Sequence, residues 1–336
     1  MLLSGGVNFK KIFDLNISLP LYSQIIYIYV KILLMLKKQL IEQFRNFYFK
    51  NYYDEMETLI EHFSVFGGLD IEVDATLSIK ELIHTHIIKN FDILNEKILS
   101  LIGHDPINIR LLQALAVGDR RIFSAFKRAG LNNGNGGGAL EFLQLQGLIS
   151  MEYSREKHPK DLYPNSKLKR ELARHRISHK VLFNHPIIRF WFYFISPFKQ
   201  KIQKGELYDF FSFFDDKQSQ YTSLVFEELS ALLLNYNLRD AQILTSGSYW
   251  NMNIEIDILT ITNKGDVYVG ECKWTNHKVN KKELHKLNEK CEKLGLKPTQ
   301  TIFFSKRGFS KELRSLEGAS LALYSADDFK ALLKSR

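Results

Sequence analysis

Cysteine is nearly absent: Cys272 and Cys291 are the only two in 336 residues. Two thiols exclude a disulfide framework and a four-cysteine zinc site, and they fit a reducing, cytoplasmic setting. Long apolar runs are missing as well. The single membrane candidate, "ISLPLYSQIIYIYVKILLMLKK", is interrupted by Pro20, Gln24 and Lys31, short of the roughly 18–20 uninterrupted apolar residues a span needs. It reads as a buried helix, and no membrane partner is expected. The opening "MLLSGGVNFKKIFDLN" has no compact apolar core with a small-residue cleavage site. No G-x-x-x-x-G-K-[ST] occurs; "GNGGGAL" has the glycines but no lysine, so no Walker-type phosphate cradle is expected. The ten histidines show no H-E-x-x-H spacing, and there is no G-x-S-x-G elbow.

What is present is ordinary soluble composition: 45% apolar, 25% charged and 13% aromatic residues. The length suggests two or three domains. A formal charge of +9 favours an anionic partner. The charge is uneven. Residues 155–204 carry a net +10 and residues 276–314 a net +7, so the remainder is acidic on balance.

Apolar positions at three- and four-residue spacing predict helices over 24–63 and 79–102, and residues 1–104 read as a helical region. Residues 105–165 read as a winged helix. "INIRLLQALAVG" and "RRIFSAFKRAG" are helices closed by glycine, "NNGNGGG" is a loop, and "ALEFLQLQG" is a third helix. "LISMEYS" and "KDLYPNS" would form the wing. The third helix, usually the groove reader, carries one acid and no base here, so it suits packing against protein better than DNA. Residues 166–215 form a linker whose "HPIIRFWFYFISPF" reads as a buried aromatic helix joining two domains. Residues 216–336 alternate elements: a helix at 221–235, strands at 241–245, 253–261 and 266–274, a helix at 280–294, then "QTIFFS", a short helix, "LALYS" and a last helix. That pattern is a small α/β domain with a mixed sheet.

The chemistry-bearing residues lie in one hairpin. "NIEIDILTI" and "DVYVGECKW" are joined by Asn263-Lys264-Gly265, a three-residue loop with glycine in the left-handed position. This register pairs Thr262 with Asp266, Asp257 with Glu271, and Glu255 with Lys273. Directly opposed residues have Cβ atoms roughly 4.5–5.5 Å apart, where two carboxylates repel unless a cation lies between them. Mg²⁺ or Mn²⁺ held by Asp257 and Glu271 resolves the repulsion, and Lys273 shares their face. The same residues also read as a solvent-facing hairpin with cross-strand ion pairs. Beyond the hairpin, Leu284, Leu287, Cys291 and Leu294 form a helical core stripe. Lys282, Lys286, Lys290 and Lys293 fall opposite, with Lys278 and Lys297 extending the row. Such a row could track a phosphate backbone, or it is a solvated face. Cys272 points into the core, and with His277 it makes no metal site.

"EIDIL", "GECKW" and "RFWFYF" together resemble the PD-(D/E)XK nuclease superfamily, and more narrowly the nuclease-like C-terminal domain (DUF234) of archaeal and bacterial P-loop ATPases. The resemblance covers roughly residues 105–336. It implies a restriction-endonuclease-like fold over 216–336 and a Mg²⁺-dependent DNA nuclease with Asp257, Glu271 and Lys273 as its core site. A helix glutamate would join them. The family pattern points to Glu227, whereas the apolar stripe of Val225, Leu229 and Leu232 brings Glu228 nearer the sheet. No Walker A accompanies the domain in this chain, so the ATPase module is missing, lost or supplied by a separate ATPase partner, with a non-catalytic binding module as the alternative role. One site per chain implies a homodimer for double-strand cutting.

Overall fold

A computed structural model describes residues 40–158, 167, 170 and 175–334 of the chain. The membrane candidate and the predicted wing strand "KDLYPNS" lie outside these residues. Among the described residues, no helix is long and apolar enough to cross a membrane.

The helical region is more segmented than its periodicity predicts. A helix over 40–51 ends where Tyr52 takes φ 48°, and Met56–Phe66 starts afresh. Ser78 and Glu81 form a reciprocal capping box that starts Ile79–Ile83, which passes into a π turn at His84–Ile88 before the helix Phe91–Leu101.

Three helices follow: Pro106–Val117, Ile122–Ala129 and Asn133–Leu145. The first is capped by the Asp105 carboxylate with proline at its first turn, and the second ends at Gly130 in the left-handed conformation. The glycine run expected to be a loop is helical instead. Asn132 accepts from the Asn135 amide at 2.8 Å, and a Cβ on Gly136 would come within 2.5 Å of the Phe126 ring. Close helix–helix approach thus outweighs the roughly 1 kcal/mol each glycine costs a helix. Strand β1, Ile149–Glu152, pairs antiparallel with β2, Lys180–Phe183. The partner of "LISMEYS" is therefore fifteen or so residues beyond the expected boundary at 165.

The aromatic segment is buried, as its composition predicts. Pro186–Phe190 runs into a π turn at Trp191–Ile195, every residue of which is buried. Phe194 meets Phe214 and Tyr221 edge-on, with centroids 5.1 Å away in both cases. Those partners sit on the long helix Tyr208–Asn237, which begins thirteen residues before its predicted start and runs through the boundary expected at 215.

The C-terminal part is a five-stranded mixed sheet in the order β3-β4-β5-β6-β7. Its strands are Ile243–Trp250, Glu255–Thr262, Val267–Lys273, Gln300–Ser305 and Leu321–Ser325. The first three are antiparallel and the last three parallel. One face packs Ile258, Cys272, Ile302 and Phe304 under the long helix and Phe329 of the terminal 3₁₀ turn Ala326–Leu333. The other packs Leu259, Val269 and Phe303 under the helix Lys281–Lys293, through Leu287 and Cys291. The first of these cores is continuous from Leu40 to Leu333, joining helical region, three-helix unit and sheet.

Candidate functional site

The β4–β5 hairpin closes as its loop residues dictate. The Thr262 amide donates to the Asp266 carbonyl at 3.0 Å, the Gly265 amide donates to the Thr262 carbonyl at 3.0 Å, and Gly265 has φ 86°. Pairing then runs from Ile261–Val267 to Ile258–Gly270 at one constant offset, which carries Asp257 level with Glu271. At that point the ladder ends. Asp257 Oδ2 accepts from the Cys272 amide at 2.8 Å, so the side chain replaces the backbone acceptor.

The expected pairing of Glu255 with Lys273 is not formed. Glu255 turns to Lys180, whose side chain is 2% exposed and lies over the Trp250 ring, and to Arg121 at 3.5 Å. Burial opposes ionisation of Glu255, yet Lys180 and Arg121 hold its carboxyl below the ordinary range. Lys273 instead donates to Glu271 at 2.8 Å and lies 3.4 Å from Glu283. Burial pulls its ammonium down, but Glu271 and Glu283 prevail and raise it to about 12, so it stays charged.

Three acids crowd the end of the hairpin. Burial, then Glu227, then Glu271 push the Asp257 carboxyl well above the usual range, against the Cys272 amide and Lys290. Burial likewise raises Glu227. Glu228, next on the same helix, is pushed up to about 7 by burial, with its Oε1 3.9 Å from Arg120 Nη1. Glu227 bears on Asp257, while Arg120 draws on both glutamates and forms its ion pair with Glu228. Glu271 is spoken for, since Oε1 accepts from Lys273 and Oε2 from Lys290, both at 2.8 Å.

Asp257, Glu227, Glu228 and Glu152 line one cleft between the sheet, the long helix and the β1–β2 hairpin, roughly 730 Å³ including its open mouth. Glu271 and Lys273 are not in its lining; they lie on the side of the helix Lys281–Lys293, through Lys290 and Glu283. Asp257 stands between the two groups. Cys272 is buried on the opposite face, where burial raises its thiol. Trp274, which completes the "GECKW" run, packs on Phe226 at 4.9 Å and under the Lys306 ammonium, so it serves the core.

The lysine row is divided. Lys286 pairs with Glu283 at 2.6 Å and Lys290 turns inward to Glu271, while Lys278, Lys282 and Lys293 are exposed.

One residue that sequence reading missed enters from the three-helix unit. Arg120 has φ 62°, a left-handed conformation that costs an arginine about 1–2 kcal/mol. The Val181 amide bonds its carbonyl at 2.9 Å, and Arg121 bridges to Lys180, so strand β2 holds it there. The side chain lines the cleft, and its buried Nη1 has no hydrogen-bond acceptor. "GDRRI" shows only two arginines before a helix; its place beside Glu228, 108 positions on, is set by packing.

The donor chemistry suits a hard divalent cation: carboxylate oxygens, mutually repelling and sheltered. Among the described residues no group of three or more His, Cys, Asp or Glu side chains is arranged to hold a metal. Asp257 and Glu271 would therefore supply two ligands, with water and substrate oxygens for the rest, and Lys290 would yield Glu271 Oε2.

Residues 191–287, which hold Glu227, Glu228, Asp257, Glu271 and Lys273, match the family DUF234, described as "Archaea bacterial proteins of unknown function". No curated protein and no solved structure matches the chain.

Proposed function

We propose that this chain is a Mg²⁺-dependent nuclease that hydrolyses phosphodiester bonds in DNA, with Asp257 and Glu271 as metal ligands. The observation that carries this reading is the hairpin register that brings Asp257 level with Glu271, with the Asp257 carboxylate fixed by the Cys272 amide at 2.8 Å and its ionisation opposed by burial and by Glu227 and Glu271. Like charges gathered at such expense in a half-buried site suit a bound cation better than an empty one. The ion would polarise the phosphodiester and lower the pKa of a bound water. The protein's part is positional. The Cys272 amide fixes the Asp257 carboxylate, and the long helix brings Glu227 against it. Lys273, held as an ammonium by Glu271, can orient water or steady developing negative charge. Lys278, Lys282 and Lys293 offer exposed charge to the strand beyond. The match to DUF234 supports the resemblance on which the nuclease class rests.

Plasmid DNA with Mg²⁺ or Mn²⁺ tests it. Wild type is expected to cut, with Asp257→Ala and Lys273→Ala each slower by at least about a hundredfold while still binding. Equal background in all three would sink the enzyme.

A second reading is favoured by one observation. Both Glu271 oxygens already accept from lysines, leaving the ion pair satisfied without metal. In that reading the domain is a non-catalytic nucleic-acid or protein-binding module, working with a separate ATPase. Titration with Mn²⁺ separates the two: binding abolished by Asp257→Asn supports the enzyme, and no binding in wild type supports the module.

A further inference from the structure

We infer that Arg120 binds a phosphate of the substrate strand, gripping it from the three-helix unit opposite the acid cluster. This rests on the nuclease reading above and adds the group that holds the anion.

The argument is one of charge and place. The cleft is lined by Asp257, Glu227, Glu228 and Glu152, and Arg120 is its one cation among the described residues. Carboxylates can take a metal, but they repel the oxygens of a phosphodiester. Some donor in the cleft must meet those oxygens, and a guanidinium fork matches phosphate geometry. Glu152 is already engaged, accepting from the Ser248 amide at 2.8 Å and its hydroxyl at 2.9 Å. Arg120 is incompletely satisfied. Its contact with Glu228 is 3.9 Å, beyond hydrogen-bond reach, and Nη1 is buried without an acceptor. Glu228 gives it an ion-pair neighbour but no hydrogen-bond acceptor, and a buried guanidinium nitrogen without an acceptor is a place where a ligand oxygen can enter. The backbone says the same: β2 holds Arg120 in a left-handed conformation that its own side chain disfavours, and such strain gathers at functional sites. The cleft opens to solvent between the sheet and the long helix, so a single strand is the suitable probe.

The test uses the full chain and a fluorescein-labelled single-stranded DNA oligonucleotide. Binding is read by anisotropy with Ca²⁺ replacing Mg²⁺, and cleavage is read separately with Mg²⁺. Arg120→Gln is expected to weaken binding about 10- to 100-fold and to slow cleavage, and Arg120→Lys to restore part of the affinity. Glu228→Gln, which removes the neighbouring acid, should tighten binding. A purely structural counter-charge to Glu228 predicts the reverse, that Glu228→Gln weakens binding as Arg120→Gln does. Should Arg120→Gln fail to fold, Arg120→Lys decides, with several-fold weaker binding at unchanged melting temperature expected. Affinity equal to wild type in the Arg120 variants, or no binding by wild type, overturns the inference. Cleavage that persists in that case leaves the nuclease reading standing. Arg120-dependent binding without cleavage by wild type does the opposite: it supports the inference and removes the enzyme.

Discussion

Glu228 and Asp257 are acids the fold holds against their own ionisation, and that has a measurable sign. Glu228 is raised from an ordinary 4.5 to about 7 by burial. Between those pH values the folded chain keeps a proton that the unfolded chain has lost, so stability is fully present below about 4.5 and falls as pH rises through about 7. Urea unfolding of Glu228→Gln should lose this slope and, at pH 8, exceed wild type by up to about 3 kcal/mol. A wild-type profile that is flat over this window, or unchanged in the variant, refutes it. Asp257→Asn should behave likewise at neutral pH. The amide oxygen can still accept from the Cys272 amide while the charge beside Glu227 and Glu271 is gone, so a gain in stability is expected along with lost cleavage. A residue that destabilises the fold yet is needed for the reaction is the pattern of a functional acid; a loss of stability in Asp257→Asn would mark it as structural.

The hairpin that sets these acids was the most legible element, because its register follows from three loop residues. Gly265 has φ 86° and open space around its Cβ position, so the cost of substitution there is backbone alone. Gly265→Val is expected to lose about 1–2 kcal/mol, and Gly265→Asn less, by thermal unfolding. Equal losses would mean the loop does not use the left-handed conformation. The strands from Glu255 on and the helix Lys281–Lys293 were equally readable from alternation and from the Leu284–Leu287–Cys291 stripe, whereas β3, expected at 241–245, runs over Ile243–Trp250. Where reading failed, a tertiary contact had overridden a local rule. Counting register on to Glu255 failed because Asp257 ends the ladder with its own carboxylate. The glycine run is helical because Phe126 needs that bare surface. Lys290 belongs by periodicity to the outer row, but its long stem reaches back to Glu271.

Across the whole molecule, what could not be read is how the three-helix unit meets the sheet, since those contacts join residues about a hundred positions apart. Arg155 is the clearest. Its Nη1 donates to the Leu259 carbonyl at 3.0 Å, and Nη2 to the carbonyls of Gly247 and Ser248 at 2.9 Å each. Those acceptors lie where β3 is irregular against β4, between Gly247 and Tyr249, so the fork supplies partners that the ladder does not. Nearby, Glu152 caps the Ser248 amide and the Trp250 indole donates to the Ser178 carbonyl at 2.9 Å. Glu152, Gly247 and Ser248 also line the cleft, so these bonds brace one of its walls. Arg155→Ala strands several half-buried carbonyls and should cost roughly 2–4 kcal/mol, which Arg155→Lys restores poorly because one ammonium cannot span both edges of the bulge. Because the apolar core runs unbroken from Leu40 to Leu333, the loss should appear as one urea transition moved to a lower midpoint with unchanged slope, followed by Trp fluorescence and circular dichroism alike. Two separated transitions in Arg155→Ala would show instead that this fork, and not the shared core, makes the parts unfold together.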